Sequence, residues 1–112
     1  MNDNCIFCKI IAGDIPAAKV YEDSEMLVFR DIEPKAKVHL LAIPKDHFKL
    51  LSEVDKKRAD ILAHMLSKIP EIAKKNGCEN GYRLIINQGE DGGQAVFHLH
   101  IHILGGEKLS DF

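Results

Sequence analysis

Three histidines at alternate positions, in the run His98-Leu99-His100-Ile101-His102-Ile103, are the densest concentration of reactive side chains in the sequence. Imidazole is the side chain whose ordinary pKa lies nearest neutrality. Adjacent imidazoles also suppress one another's protonation, so such a row keeps at least one ring neutral and nucleophilic. That chemistry suits attack on phosphorus. Two histidines two apart on a strand also reach one metal ion, and spacing alone does not separate a nucleophile from a chelate. A surface strand that merely carries histidine is a poor account, because three of the six histidines occupy successive same-face positions.

Two further motifs carry possible chemistry. Cys5-x-x-Cys8 is compatible with a redox dithiol, half of a zinc site, or two thiols on an early helix. A thioredoxin-like pair opens a helix directly after a core strand, and the first four residues leave no room for one. Zinc needs two more ligands. The loop Gly89-Glu90-Asp91-Gly92-Gly93-Gln94 sets flexible backbone just before the histidines, where free N–H groups suit an anion; a hairpin that simply needs glycine is the plainer reading. His64 reads as an exposed helix residue, and Cys78 as a packing or loop thiol.

The elements that must position these groups follow from hydrophobic periodicity. Ile6, Phe7, Ile10 and Ile11 at helical spacing predict a short helix over Ile6–Ala12, closed by Gly13. Lys19–Glu22 and Met26–Asp31 predict a hairpin turning at Asp23-Ser24. Val38–Ile43 predicts a central strand, interrupted by His39 and stopped at Pro44. From about Glu53 to Asn76 the apolar pattern is helical and Gly77 supplies a left-handed cap, while Pro70 is expected to kink or split the helix. Tyr82–Asn87 and Ala95–Leu104 complete the set, the latter as the last and longest strand. On it His98, His100 and His102 share one face and Leu99, Ile101 and Ile103 the core face. The result is an α+β fold: a largely antiparallel five-stranded sheet, a short N-terminal helix and one long helix.

A chain of 112 residues that is 46% hydrophobic suits one domain over 1–112. A net charge of −2 with acids and bases interspersed lacks the basic footprint needed to grip nucleic acid. No stretch approaches a membrane span and no leader pattern opens the sequence, so a cytoplasmic location is expected. There the odd count of three cysteines argues against a disulfide framework.

The run from Asn87 to Gly106 closely resembles the histidine triad (HIT) family, in particular its Hint branch. So do Cys5-Ile6-Phe7-Cys8-Lys9-Ile10, Gly13-Asp14-Ile15-Pro16, Phe29-Arg30-Asp31-Ile32 and Ile43-Pro44-Lys45-Asp46-His47. The resemblance implies a HIT-like fold and a hydrolase or transferase acting at the α-phosphate of purine nucleoside phosphoramidates. It makes His100 the nucleophile, forming a nucleotidyl-histidine that water hydrolyses, with His39 and His102 orienting or polarising nucleophile and phosphate. It further implies a phosphate site at Asn87, Gly93, Gln94 and the backbone near Ala95. A nucleoside pocket falls on Ile6, Phe7, Ile10, Phe29 and Ile32, with Asp31 accepting from the ribose hydroxyls. Dinucleoside polyphosphate hydrolysis and a non-catalytic nucleotide-binding or scaffold role are the alternatives.

The resemblance also completes the cysteine pair: His47 and His98 match the remaining ligands of a structural zinc site, leaving His100 free for chemistry that needs no metal. The competing reading is a metal-free pair of buried thiols. The family also implies a homodimer with joined sheets and packed long helices. One departure stands out: many relatives carry serine where this chain has Ala95, and that hydroxyl is associated with assisting an amine leaving group.

Overall fold

The computed structural model describes residues 4–112; the first three, part of the stretch expected to lack a leader, lie outside the described residues. The chain runs α1 (Ile6–Ala12), β1 (Lys19–Glu22), β2 (Met26–Arg30), β3 (Val38–Pro44), a 3₁₀ turn (Leu51–Glu53), α2 (Lys56–Lys75), β4 (Tyr82–Ile85) and β5 (Ile101–Gly105). The five strands form one sheet in the order β1-β2-β3-β5-β4, with every neighbouring pair antiparallel. None of the helices among the described residues is long and apolar enough to cross a membrane.

The central strands are buried along nearly their whole length because helices cover both faces. Residues of one parity, Met26, Val28, Leu40, Ala42, Ile101 and Ile103, pack with Met65, Ile69 and Ile72 of α2. Residues of the other parity, Leu27, Phe29, Leu41 and Ile43, pack with Phe7, Cys8 and Ile10 of α1. His39 shares the α1 face with Leu41, and His102 lies directly opposite Leu41 in the register, so the two histidines are diagonal neighbours on that face.

The helix ends follow local chemistry. Asp55 caps α2 by accepting from the Arg58 amide, so the helix begins at Lys56 and the residues before Val54 form a separate turn. Of the two outcomes expected of Pro70, a split does not occur: α2 runs through it to Lys75. Leu66 and Pro70 both lie on the exposed side, where the carbonyl the proline leaves without a donor is open to solvent.

The last strand is also shorter than its pattern suggests. Only Ile101–Gly105 pairs in the sheet, and β3, with seven residues, is the longest strand. Upstream of Ile101 the ladder is replaced: the Leu99 amide donates to the Phe48 carbonyl, and the Pro44 carbonyl faces the His98 ring instead of a strand neighbour. His98 and His100 therefore sit on an extended segment beyond the strand, and only His102 lies within it. Likewise β4 stops at Ile85, and Asn87 belongs to the following loop. His64 is also more engaged than expected: half-buried, it lies 2.7 Å from Asp23 and ties α2 to the β1–β2 turn.

Candidate active site and metal centre

Four buried or half-buried side chains converge where α1 meets the end of β3. Cys5 is the N-cap of α1, its sulfur accepting from the Cys8 amide at 3.3 Å, which turns both thiols toward the sheet. His98 Nδ1 lies 3.3 Å from Cys5 Sγ, 3.6 Å from Cys8 Sγ and 3.1 Å from His47 Nδ1, while His47 Nδ1 lies 3.2 Å from Cys8 Sγ. A tetrahedral zinc ion with bonds of about 2.0–2.1 Å to nitrogen and about 2.3 Å to sulfur requires ligand–ligand edges of roughly 3.3–3.8 Å. These four distances match that to within a few tenths of an ångström, and all four ligand atoms lie within 4.8 Å of one another.

Protonation also fits a cation. His98 Nε2 sits 2.8 Å from the Pro44 carbonyl, and a carbonyl only accepts, so the ring proton is on Nε2 and the Nδ1 lone pair faces the sulfurs. Burial pushes His98 down to about 4, with neighbouring His47 adding to the effect, so the ring stays neutral. Such a lone pair among two thiols and a second imidazole is a ligand set awaiting a soft or borderline cation.

The second cluster adjoins the first through the main chain. His100 Nδ1 is 2.8 Å from the His98 carbonyl, which fixes its proton on Nδ1 and leaves Nε2 with a lone pair. Desolvation lowers its pKa, keeping that lone pair available near neutrality. Phe7 presses against the ring, centroids 5.2 Å apart and planes 88° from parallel, and His102 lies 4.9 Å away on another side. His39 Nε2 is 2.9 Å from His102 Nδ1 and 3.4 Å from Asp31 Oδ2. Burial is the main cause holding His102 down at about 4, and it lowers His39 as well. His102 Nε2 is buried without a hydrogen-bond partner.

The remaining residues singled out in the sequence divide by exposure. Phe7, Ile10 and Phe29 are buried in the α1 core, whereas Ile6 is 47% exposed and Ile32 93% exposed, so only these two present substantial free apolar surface. Asp31 follows β2; its Oδ1 accepts from the Glu33 amide at 2.8 Å and its second oxygen turns toward His39. Asn87 is half-buried and Ala95 exposed.

The glycine loop is more self-contained than its composition suggests. Gly93 and Gln94 donate their amides to the Glu90 and Gly89 carbonyls. The buried Gln94 side chain accepts from the Gly89 amide and donates to the carbonyls of Lys49 and Val96. Gln94 thus clamps the loop. Gly92 is required sterically: a Cβ there would lie 2.5 Å from the Gln88 carbonyl oxygen. The expectation of free amides in this loop therefore does not hold for Gly89, Gly93 or Gln94. That Gln94 clamp, the Lys35 amide that donates to His39 Nδ1 at 3.0 Å, and the carbonyl partners of His98 and His100 carry no sequence signal. They are backbone contacts visible only once the chain is folded.

The antiparallel sheet, its two helices and the histidine row on the α1 face define a HIT fold. A family model described as "Scavenger mRNA decapping enzyme C-term binding" matches residues 4–112. Protein HitA of Neisseria gonorrhoeae is 55% identical over 103 residues, 92% of this chain and 96% of that protein. The 14 kDa zinc-binding protein of Zea mays is 44% identical over 107 residues, 94% of this chain and 84% of that protein. Among solved structures, a HIT family hydrolase from Legionella pneumophila Philadelphia 1 has a TM-score of 0.91 at 45% identity, covering 96% of each chain. A Zn-bound histidine triad family protein from Mycobacterium smegmatis has a TM-score of 0.80 at 36% identity, covering 95% of this chain and 79% of that one. The chain belongs to the histidine triad family.

Proposed function

We propose that the protein is a nucleotide hydrolase of the Hint type, cleaving purine nucleoside phosphoramidates at the α-phosphate through a nucleotidyl-His100 intermediate. The observation that carries this reading is the His100 Nδ1 contact with the His98 carbonyl, which leaves Nε2 a lone pair with which to act as nucleophile. In the first step Nε2 bonds to phosphorus while the P–N bond to the leaving amine breaks and the amine takes up a proton from water. In the second, water attacks phosphorus and the P–Nε2 bond breaks, releasing the nucleoside monophosphate.

His102 Nε2 supplies a donor for a phosphoryl oxygen, and His39 holds that ring. Asn87, Gly93, Gln94 and Ala95 frame the phosphate side, Gln94 by shaping the loop. Ile6 and Ile32 offer the nucleoside apolar surface over Phe7, Ile10 and Phe29, and Asp31 receives the ribose diol. Cys5, Cys8, His47 and His98 hold a structural zinc ion that ties α1 to the sheet, and no step of the reaction passes through it.

Two assembly features belong to the same reading. One edge of the sheet is β4, with Tyr82 and Leu84 more than a third exposed, and Leu66 of α2 is 48% exposed. Covering them with a second copy gives a homodimer, which light scattering tests.

The deciding experiment is rapid quench with an α-³²P-labelled adenosine phosphoramidate. A labelled, acid-sensitive adduct that forms and decays at the rate of turnover, absent in His100→Ala, is the expected result. Turnover without an adduct, undiminished in His100→Ala, overturns the covalent mechanism. Dinucleoside polyphosphates in the same panel show whether they are better substrates.

A further inference from the structure

We propose that the backbone amide of Lys35 fixes the proton order of the His39–His102 pair, making His39 a permanent hydrogen-bond donor to His102 and His102 Nε2–H a donor toward substrate. The last clause rests on the hydrolase reading; the proton order does not.

The argument runs from one atom that has no choice. An amide N–H only donates, and that of Lys35 lies 3.0 Å from His39 Nδ1, so Nδ1 holds a lone pair. Burial lowers the pKa of His39 and keeps the ring neutral, so its single proton is on Nε2. Nε2 faces His102 Nδ1 at 2.9 Å, which must therefore accept. A neutral His102 then carries its proton on Nε2, the atom left buried and without a partner. The order set at Lys35 reaches the open end of the pair through two rings.

The turn that delivers this amide is held at both ends of His39. Asp31 donates its amide to the His39 carbonyl at 3.0 Å and receives the Glu33 amide on Oδ1 at 2.8 Å. The five residues Asp31-Ile32-Glu33-Pro34-Lys35 thus fold back over the imidazole that the next strand presents. The Lys35 side chain is exposed, so the function lies in its main chain.

A second consequence separates this cluster from a metal site. Asp31, His39 and His102 each place one ligand atom within 4.8 Å of the others, a spacing that suits a two-histidine, one-carboxylate centre. Ligation by His39 Nε2 would require its proton to move to Nδ1, directly opposite the Lys35 N–H. That amide excludes the ion and keeps the site for protons.

Long-range ¹H–¹⁵N correlation spectra of histidine-labelled, substrate-free protein at about pH 8 read the tautomers directly. His39 and His102 are both expected as Nε2–H forms, unshifted when zinc is added beyond the first equivalent. A His39 Nδ1–H signal, or His39 resonances that move with the second equivalent of zinc, overturns the proposal. Lys35→Ala, which retains the amide, should leave the pattern intact, and Lys35→Pro, which lacks it, should shift the His39 proton toward Nδ1. Folded Lys35→Pro with an unchanged His39 pattern also overturns it, and if that variant does not fold the wild-type spectrum decides. Because no turnover is involved, a locked but inactive protein refutes only the hydrolase reading, and an active protein with the other tautomer refutes only the lock.

Discussion

Among the described residues, two groups of side chains meet the same distance requirement for a metal ion: Cys5, Cys8, His47 and His98, and Asp31, His39 and His102. Both are largely buried and both are built around imidazoles on the α1 side of the sheet, yet they are prepared for opposite chemistry. In the first, a carbonyl behind the ring takes the His98 proton and turns a lone pair inward. In the second, an amide behind the ring supplies a proton to His39 and turns an N–H inward. The partner on the far side of an imidazole, not the imidazole itself, decides whether a cluster receives a cation or passes hydrogen bonds to an anion. His100 stands between them, its own proton held by the carbonyl of His98.

The largest effect expected from breaking this arrangement comes at His100. Replacing it with alanine removes the only group assigned to form the covalent intermediate, and turnover of an adenosine phosphoramidate should fall by at least about 10³-fold. Steady-state assay measures it. The His39–His102 pair and the metal cluster remain in place in that variant, so far-UV circular dichroism and metal content should match wild type. A loss below tenfold would mean that another group carries the reaction.

The metal side is broken by Cys8→Ser. Elemental analysis of protein purified without chelator is expected to show close to one zinc per chain in wild type and well below half in the variant, with a melting temperature lower by several degrees. That shift corresponds to a loss of about 1–2 kcal/mol in a domain of this size. Hydrolysis should suffer far less than in His100→Ala, because on the proposed reading zinc would only secure α1 and the His98 segment. Equal damage from the two variants would erase the distinction between the clusters.

How far the sequence announces these two clusters depends on what holds them. The element order, the antiparallel sheet and the ends of α1 and β3 are legible because they follow from apolar periodicity and from Gly13 and Pro44. The histidine strand is not: alternation at Ala95–Leu104 satisfies a strand pattern throughout, but His98 trades the ladder for a side-chain contact with Pro44, which no periodicity encodes. Pro70 misleads for the opposite reason, since its cost depends on whether the orphaned carbonyl meets water. The convergence of His47 and His98 on the cysteines was legible only through family resemblance, because the ligands are 39 and 90 residues from Cys8.

Acid should separate the clusters more gently. A histidine free in the unfolded chain titrates near 6.5, whereas His102 is held at about 4 in the fold, mainly by burial, and His39 and His100 are lowered too. Between those values the unfolded chain binds more protons, so stability rises with pH across the window and is lost as pH falls from about 6.5 toward 4. Urea midpoints at pH 7.5 and pH 4.5 should show this decline, and His102→Gln should flatten it. A profile equally steep in that variant would assign the acid sensitivity elsewhere, for instance to protons displacing zinc from His47 and His98.

The smallest effect probes how the departing amine obtains its proton. Ala95 is exposed and carries no hydroxyl, so on the proposed reading the departing amine takes its proton from water. Ala95→Ser adds a donor beside the Gln94 clamp without altering the histidines. An alkyl phosphoramidate, whose amine leaves poorly, should then be cleaved up to about tenfold faster, equivalent to about 1.4 kcal/mol of barrier. A substrate with a good leaving group should be unaffected. If both substrates respond alike, the serine acts on binding and not on the departing amine. If neither responds, water already delivers the proton fast enough in the wild type, and departure of the amine does not limit the rate.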